Sequence, residues 1–129
     1  DGVLFDSFSA NAKFFYDLLE FFGYKGPSRE EFKDHFGSHM KAIVKHFSKL
    51  ESEEEVEKIW QAGRDRVVPY PHSLLNSPTG LKETLDSLAE KYTMGIVTSR
   101  VHDHIFETPE LRESKHHFKV VISFLDTKN

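Results

Sequence analysis

The sequence has no cysteine among its 129 residues. That excludes disulfides, thiolate metal sites and cysteine nucleophiles within this chain, and it leaves the redox compartment open. It has no excess of positive charge: 17 Lys and Arg stand against 21 Asp and Glu, a formal net charge of −4. Nucleic-acid binders usually carry a basic footprint, so nucleic acid is not the expected partner. No apolar run approaches the roughly 20 residues of a membrane span, and no signal-peptide pattern is present. A membrane is therefore not an expected partner, and the expectation is a soluble, cytoplasmic protein. Internal repeats and low-complexity segments are lacking. So is a Gly-x-Gly-x-x-Gly after any apolar run, which argues against a dinucleotide-binding fold. Methionine and tryptophan are scarce, with two and one copies, whereas phenylalanine occurs twelve times. The core is expected to be aromatic.

What is present divides in two. From Asn11 to Val68 the apolar residues recur at helical spacing. Phe14, Phe15, Leu18, Leu19 and Phe22 define a first helix, stopped by Gly23, with Phe21 also expected in the core. "SREE" from Ser28 is a capping box, in which the Ser28 hydroxyl takes a backbone N–H near Glu31 and the Glu31 carboxylate reaches back. That helix is expected to run to Gly37. A third helix is expected from Ser38 to Phe47. A second capping box at Ser52–Glu55 opens a fourth, with Val56, Ile59, Trp60 and Val67 inward and Asp65 and Arg66 facing solvent. The acidic run "ESEEEVEK" is its solvated first turn.

The character changes at "VVPYPHSLLNSPTG", whose three prolines block both helix and central strand. Ser77 and Pro78 suit the N-cap and first position of a helix carrying Leu81, Leu85 and Leu88. "GIVTSR" then closes a short apolar run, Met94 to Val97, which reads as a buried parallel strand. Two short helices follow, the second capped by Thr108 with Pro109 first, and "KVVISF" reads as a second buried strand. Helix, strand, helix, strand is an α/β signature. Gly2 to Phe5 reads as the end of a further strand, with Asp6 and Ser7 turning the chain into the first helix. Because that strand is so short, the sheet is expected to be incomplete.

The candidate chemistry lies where apolar runs end in small, polar or acidic residues. In an open parallel sheet, ligands bind beyond the carboxyl ends of strands. Asp1, Gly2, Thr98 and Ser99 fall at such ends. A carboxylate, a glycine and two hydroxyls suit a phosphate and a divalent cation, because glycine lets backbone N–H groups approach an anion and carboxylates hold hard cations. Asp-Gly is equally a common turn dipeptide. Arg100 could meet a substrate or stand in a solvated loop. The histidines of "HDH" (His102–His104) and of His116–His117 lack spaced acidic or thiolate ligands, so they read as surface groups and not as a metal site.

"DGVLFDS" resembles the first motif of haloacid dehalogenase-like hydrolases, Asp-x-Asp-Gly-Val/Thr-Leu-x-Asp-Ser. "GIVTSR" resembles their second motif. "LKETLDSLAEKYTMGIVTSR" is similar to the helix and strand of the phosphoglycolate phosphatase-like branch, and "FKVVISFLDTKN" resembles the segment before the third motif. The helical stretch lies where that branch carries its cap. The resemblance covers nearly the whole chain.

What it implies is an incomplete Rossmann-like parallel sheet with an α-helical cap inserted after the first strand. Residues 1–8 would open the α/β core, residues 9–72 form the cap, and residues 73–129 continue the core. The implied activity is a magnesium-dependent phosphatase that hydrolyses a small phosphorylated metabolite through an aspartyl-phosphate. Asp1 matches the general acid/base, and its backbone carbonyl one magnesium ligand. The matching nucleophile would lie two residues upstream, so the chain as given is expected to be inactive, and the third-motif Lys is expected just past Asn129, with Lys128 a poorer match. Gly2, Thr98, Ser99 and Arg100 match phosphate-facing positions, with Thr98 the orienting hydroxyl. In "HFGSH", His35, Ser38 and His39 are the candidates for substrate choice by the cap; a turn bearing surface histidines is the plainer reading. A phosphomutase or dehalogenase of the same family is the alternative activity, and a non-catalytic interaction module is the alternative from another class.

Overall fold

The computed structural model describes residues 2–126. Asp1 and Lys128, both singled out above, lie outside the described residues. The chain forms two compact units, residues 1–76 and 77–129, and each is described by itself.

The first unit is helical: α1 (Phe8–Phe21), α2 (Arg29–Lys33), α3 (Met40–Ser48) and α4 (Glu53–Arg64), then a 3-10 turn at His72–Leu74. Helix α1 begins three residues before the apolar periodicity does. Asp6 makes this possible, since its Oδ1 accepts the Phe8 N–H at 3.1 Å and so satisfies one of the donors a helix start leaves open. Ser7 takes the N-cap position without a side-chain capping bond, its Oγ accepting from the Asn11 Nδ2 at 3.5 Å instead. Ala10, Phe14, Phe15, Leu18 and Leu19 are buried along the face that meets the other helices. Phe21 departs from the expectation and is 61% exposed. Past it, Gly23 (φ 81°) turns the chain back along α1, and the Phe21 ring rests edge-on against Phe22 at 5.3 Å. The returning strand of chain brings Gly26 against the α1 backbone, where a Cβ at 26 would stand 2.9 Å from the Tyr16 Cα.

Both halves of the Ser28–Glu31 capping box are present, and α2 ends at Lys33. At α4 the Ser52 hydroxyl accepts the Glu55 N–H at 3.3 Å. Helix α4 packs closely because it carries Gly63, at which a Cβ would stand 2.4 Å from the Met40 Cε and 2.9 Å from the Leu18 Cδ2. Two expectations near its end need correction. Arg66 takes a left-handed φ of 57°, which swings Val67 outward to 51% exposure. The Arg66 guanidinium does not face solvent alone; it lies 4.6 Å over the Tyr70 ring and 5.3 Å over Phe14. The Tyr70 hydroxyl donates to Asn11 Oδ1 at 2.6 Å. The aromatic core runs through Phe8, Phe15, Phe32 and Phe36, with ring centroids 5.2–6.2 Å apart.

Gly2 to Phe5 does not form a strand. Gly2 takes φ 77° and its N–H bonds back to the Phe5 carbonyl at 2.8 Å. Asp6 alone pairs, in an isolated antiparallel bridge to Asn76. A strand needs a partner along its length, and a closed turn offers none.

The second unit is mixed α/β: α5 (Leu81–Ala89), β1 (Met94–Val97), α6 (Pro109–Glu113) and β2 (Phe118–Ile122), with 3-10 turns at His102–His104, Lys115–His117 and Phe124–Asp126. Helix α5 is not capped by Ser77 and Pro78. Pro78 closes a turn, its carbonyl accepting the Leu81 N–H at 3.2 Å, and Gly80 (φ 77°) is the N-cap. Thr108 does precede α6, without a side-chain bond to it. Strands β1 and β2 pair in parallel, with Gly95 opposite Val120 and Val97 opposite Ile122. These strands are not buried as expected. That register sets Gly95, Val97, Val120 and Ile122 on one face, and Val97 is 81% and Val120 55% exposed. Ile96 and Val121, on the other face, are half-buried. No described helix is long and apolar enough to cross a membrane.

Candidate active site

The carboxyl end of the two-stranded sheet is where the sequence placed its second motif. The Thr98 N–H donates to the Ile122 carbonyl at 3.0 Å, which carries the ladder one residue past β1. The chain then turns. Thr98 Oγ1 accepts the Arg100 N–H at 3.2 Å, a short hydroxyl-to-backbone turn. The Arg100 carbonyl accepts the Phe124 N–H at 3.1 Å, so the loops leaving β1 and β2 are held side by side. Thr98 and Arg100 are half-buried and Ser99 is exposed at the tip. A threonine hydroxyl that accepts one bond still has its O–H to donate. The loop therefore offers a fixed hydroxyl donor at the open end of a parallel sheet, the place where such sheets bind ligands.

A second pair at this end was not singled out from the sequence. Ser123, buried, gives both its N–H and its hydroxyl to Asp126 Oδ2, each at 2.7 Å. The Ser123 hydroxyl, then its N–H, holds the Asp126 carboxyl below its ordinary range. The signal was the S-x-x-D spacing directly after a strand, which is a turn-forming pattern.

Gly2 belongs to the first unit, and its N–H is taken by the Phe5 carbonyl. Of the three cap candidates, His39 is the N-cap of α3, with its Nδ1 accepting the Lys41 N–H at 3.3 Å. Ser38 closes a turn, its N–H on the His35 carbonyl at 2.9 Å. His35 stacks on His46 with ring centroids 4.0 Å apart. These three thus share one short turn but use their polar groups differently.

Two further histidines have carboxylate partners. His104 Nδ1 lies 2.5 Å from Glu107 Oε1, and His117 Nε2 lies 2.7 Å from Asp86 Oδ1. Lys82 first, then His117, holds the Asp86 carboxyl below its ordinary range. Among the described residues no group of three or more His, Cys, Asp or Glu could hold a metal ion. The described residues therefore do not by themselves form the magnesium site that the resemblance implies.

A short parallel sheet with a hydroxyl-closed turn at its carboxyl end defines a mixed α/β protein. The chain belongs to the haloacid dehalogenase-like hydrolase family, whose family model matches residues 1–129. Solved structures agree in fold. A candidate haloacid dehalogenase-like hydrolase from Bacteroides fragilis is similar with a TM-score of 0.79 at 18% identity, over 100% of this chain and 62% of that one. A HAD-superfamily hydrolase of subfamily IA, variant 1, from Geobacter sulfurreducens gives 0.67 at 26% identity, over 100% and 61%. A candidate phosphatase from Clostridium difficile gives 0.69 at 20% identity, over 99% and 60%. The chain thus spans about 60% of the length of these relatives. No curated protein matches it.

Proposed function

We propose that this chain is part of a magnesium-dependent phosphatase that hydrolyses a small phosphorylated metabolite through an aspartyl-phosphate. The observation that supports it most is the Thr98 loop, a fixed hydroxyl donor at the carboxyl end of β1. In this reading the second unit belongs to a Rossmann-like core and the helical first unit is its cap, with His35, Ser38 and His39 near the choice of substrate. The Thr98 O–H and the Ser99 N–H donate to phosphoryl oxygens, and Arg100 adds positive charge at the rim. Donors already in place stabilise charge as it develops on the transferring group, without reorganisation at the moment of reaction. Asp1 protonates the departing oxygen and then takes the proton of the water that attacks the phospho-enzyme, the two roles of a general acid/base in two-step displacement. Magnesium, when bound, would neutralise charge on the phosphoryl oxygens.

The test is hydrolysis of p-nitrophenyl phosphate by a form of the protein extended to the length of its relatives, with magnesium and with EDTA. Turnover that magnesium supports and EDTA abolishes is the expected result. Turnover of a 2-haloacid that survives EDTA would favour the dehalogenase alternative. An absence of both activities would leave the non-catalytic module as the better reading.

A further inference from the structure

The Thr98 turn is tied to the exit of β2 on both sides of a single residue. The Thr98 N–H donates to the carbonyl of Ile122, the last residue of β2. Thr98 Oγ1 accepts the Arg100 N–H, and the Arg100 carbonyl accepts the Phe124 N–H at 3.1 Å. Ser123 lies between these two anchor points. Its conformation therefore sets the step from Ile122 to Phe124, and with it the seat of the Thr98 turn.

Ser123 is in turn fixed by one side chain. It is 1% exposed, and its N–H and hydroxyl both donate to Asp126 Oδ2 at 2.7 Å. In return the Asp126 N–H donates to the Ser123 carbonyl at 3.2 Å, which closes the turn Phe124–Asp126 from both ends. The Ser123 hydroxyl, then its N–H, holds the Asp126 carboxyl below its ordinary range, and His102 adds a smaller pull. The acceptor is thus a carboxylate near neutral pH, and bonds to an ionised acceptor are about twice as strong as neutral ones. Asp126 is exposed, so it adds little to a core; what it orders is the loop end of the sheet.

We propose that Ser123 and Asp126 are positioning residues for the reaction at Thr98. The Asp126 carboxylate fixes Ser123, Ser123 fixes the step from Ile122 to Phe124, and that step holds the Thr98–Arg100 turn. The Thr98 hydroxyl is then in place before a phosphoryl group arrives. This rests on the phosphatase reading, in which Thr98 is the donor. Such a clasp matters because a displacement of about 1 Å at a reacting centre can cost about 10² in rate.

Asp126→Ala and Asp126→Asn, made in the form extended to the length of its relatives, test this with p-nitrophenyl phosphate and magnesium. Asp126→Ala should lose about tenfold to 10² in kcat with KM little changed, the pattern of a contact made in the transition state. Asp126→Asn keeps an acceptor oxygen without the charge and should fall between Asp126→Ala and the parent. Beside Thr98→Val, Asp126→Ala should cost little more, since residues that act through one group are not additive. A general loss of fold would instead lower both backgrounds alike. Amide exchange should quicken at Phe124 and Arg100, with Tm close to that of the parent. Were Asp126→Ala to unfold, the Asn variant carries the same comparisons. An Asp126→Ala enzyme as fast as an active parent, an equal loss with and without Thr98→Val, or unchanged exchange at Phe124 and Arg100 would each overturn the proposal and leave the phosphatase reading standing. A parent without turnover would overturn both.

Discussion

Replacing Phe32 by alanine should destabilise the helical unit more than any surface change. Helix α2 is only five residues long, too short to hold itself in water. Two things keep it in place. One is the Ser28–Glu31 box; losing an N-cap side chain of this kind costs about 1 kcal/mol. The other is Phe32, which is 0% exposed and lies 5.4 Å from the Phe15 ring, 5.9 Å from Phe8 and 6.2 Å from Phe36. Truncating a buried phenylalanine to alanine costs about 3–5 kcal/mol, from lost transfer energy and the cavity left behind. A domain's whole stability is about 5–15 kcal/mol, so the single ring is worth about a fifth of it or more. Urea denaturation followed by circular dichroism measures the loss, and amide exchange in α2 localises it. Phe32→Leu keeps part of the buried surface and should lose clearly less. If Phe32→Ala lost under about 1 kcal/mol, an ordinary surface-scale effect, the ring would not be what anchors α2.

Ser28→Ala should cost about 1 kcal/mol in the same urea assay, well short of Phe32→Ala; a neutral result would mean that the box contributes nothing net. Gly26→Ala should cost about 1–3 kcal/mol, because its Cβ would meet the Tyr16 carbonyl oxygen at 2.8 Å, and that is backbone. Gly63→Ala should cost less in a thermal melt, since the closest obstacle is the flexible end of Met40 and alanine regains about 1 kcal/mol of helix propensity; the reverse order would refute this account of the two contacts. Acid should destabilise the protein gradually. The Ser28 hydroxyl, Lys45, Lys82 and the Ser123 hydroxyl hold Glu31, Glu53, Asp86 and Asp126 respectively below the ordinary carboxylate range. Carboxyls depressed on folding contribute stability above their unfolded pKa, and that stability is lost as pH falls through the folded value. All four are solvent-screened, so Tm should hold near neutrality and decline modestly below about pH 4.5; a Tm that rose on acidification would contradict the sign.

Most local signals survived the passage from sequence to structure, and those that depend on distant partners did not. The apolar run Met94–Val97 is β1 residue for residue, and the Ser28–Glu31 box sits where its four-residue spacing put it. Both depend on neighbours within a few positions. Gly2 to Phe5 has the composition of a strand but closes on itself, because a strand is completed by a partner that its own residues do not specify. The start of α5 was misread because Pro78 suits the first turn of a helix and also suits a β-turn, and Gly80 decides between them. The depth of the strands was misread because burial depends on what covers a face: Val97 and Ile122 share a side of the sheet that stays open. At the candidate site, the polar ending of "GIVTSR" was legible, whereas the stitching of Thr98, Arg100 and Phe124 between two loops was not. The stacking of His35 on His46 went unseen because eleven positions separate the two rings.

The most direct test of the phosphatase reading is the rate of p-nitrophenyl phosphate hydrolysis by Thr98→Val and Thr98→Ser, each made in the form extended to the length of its relatives. Valine keeps the shape and removes the O–H; serine keeps the O–H. The account predicts that Thr98→Val loses about 10²–10³ in kcat, as when one transition-state donor is removed, while Thr98→Ser retains most of the activity. A Thr98→Val enzyme as fast as the parent would contradict it.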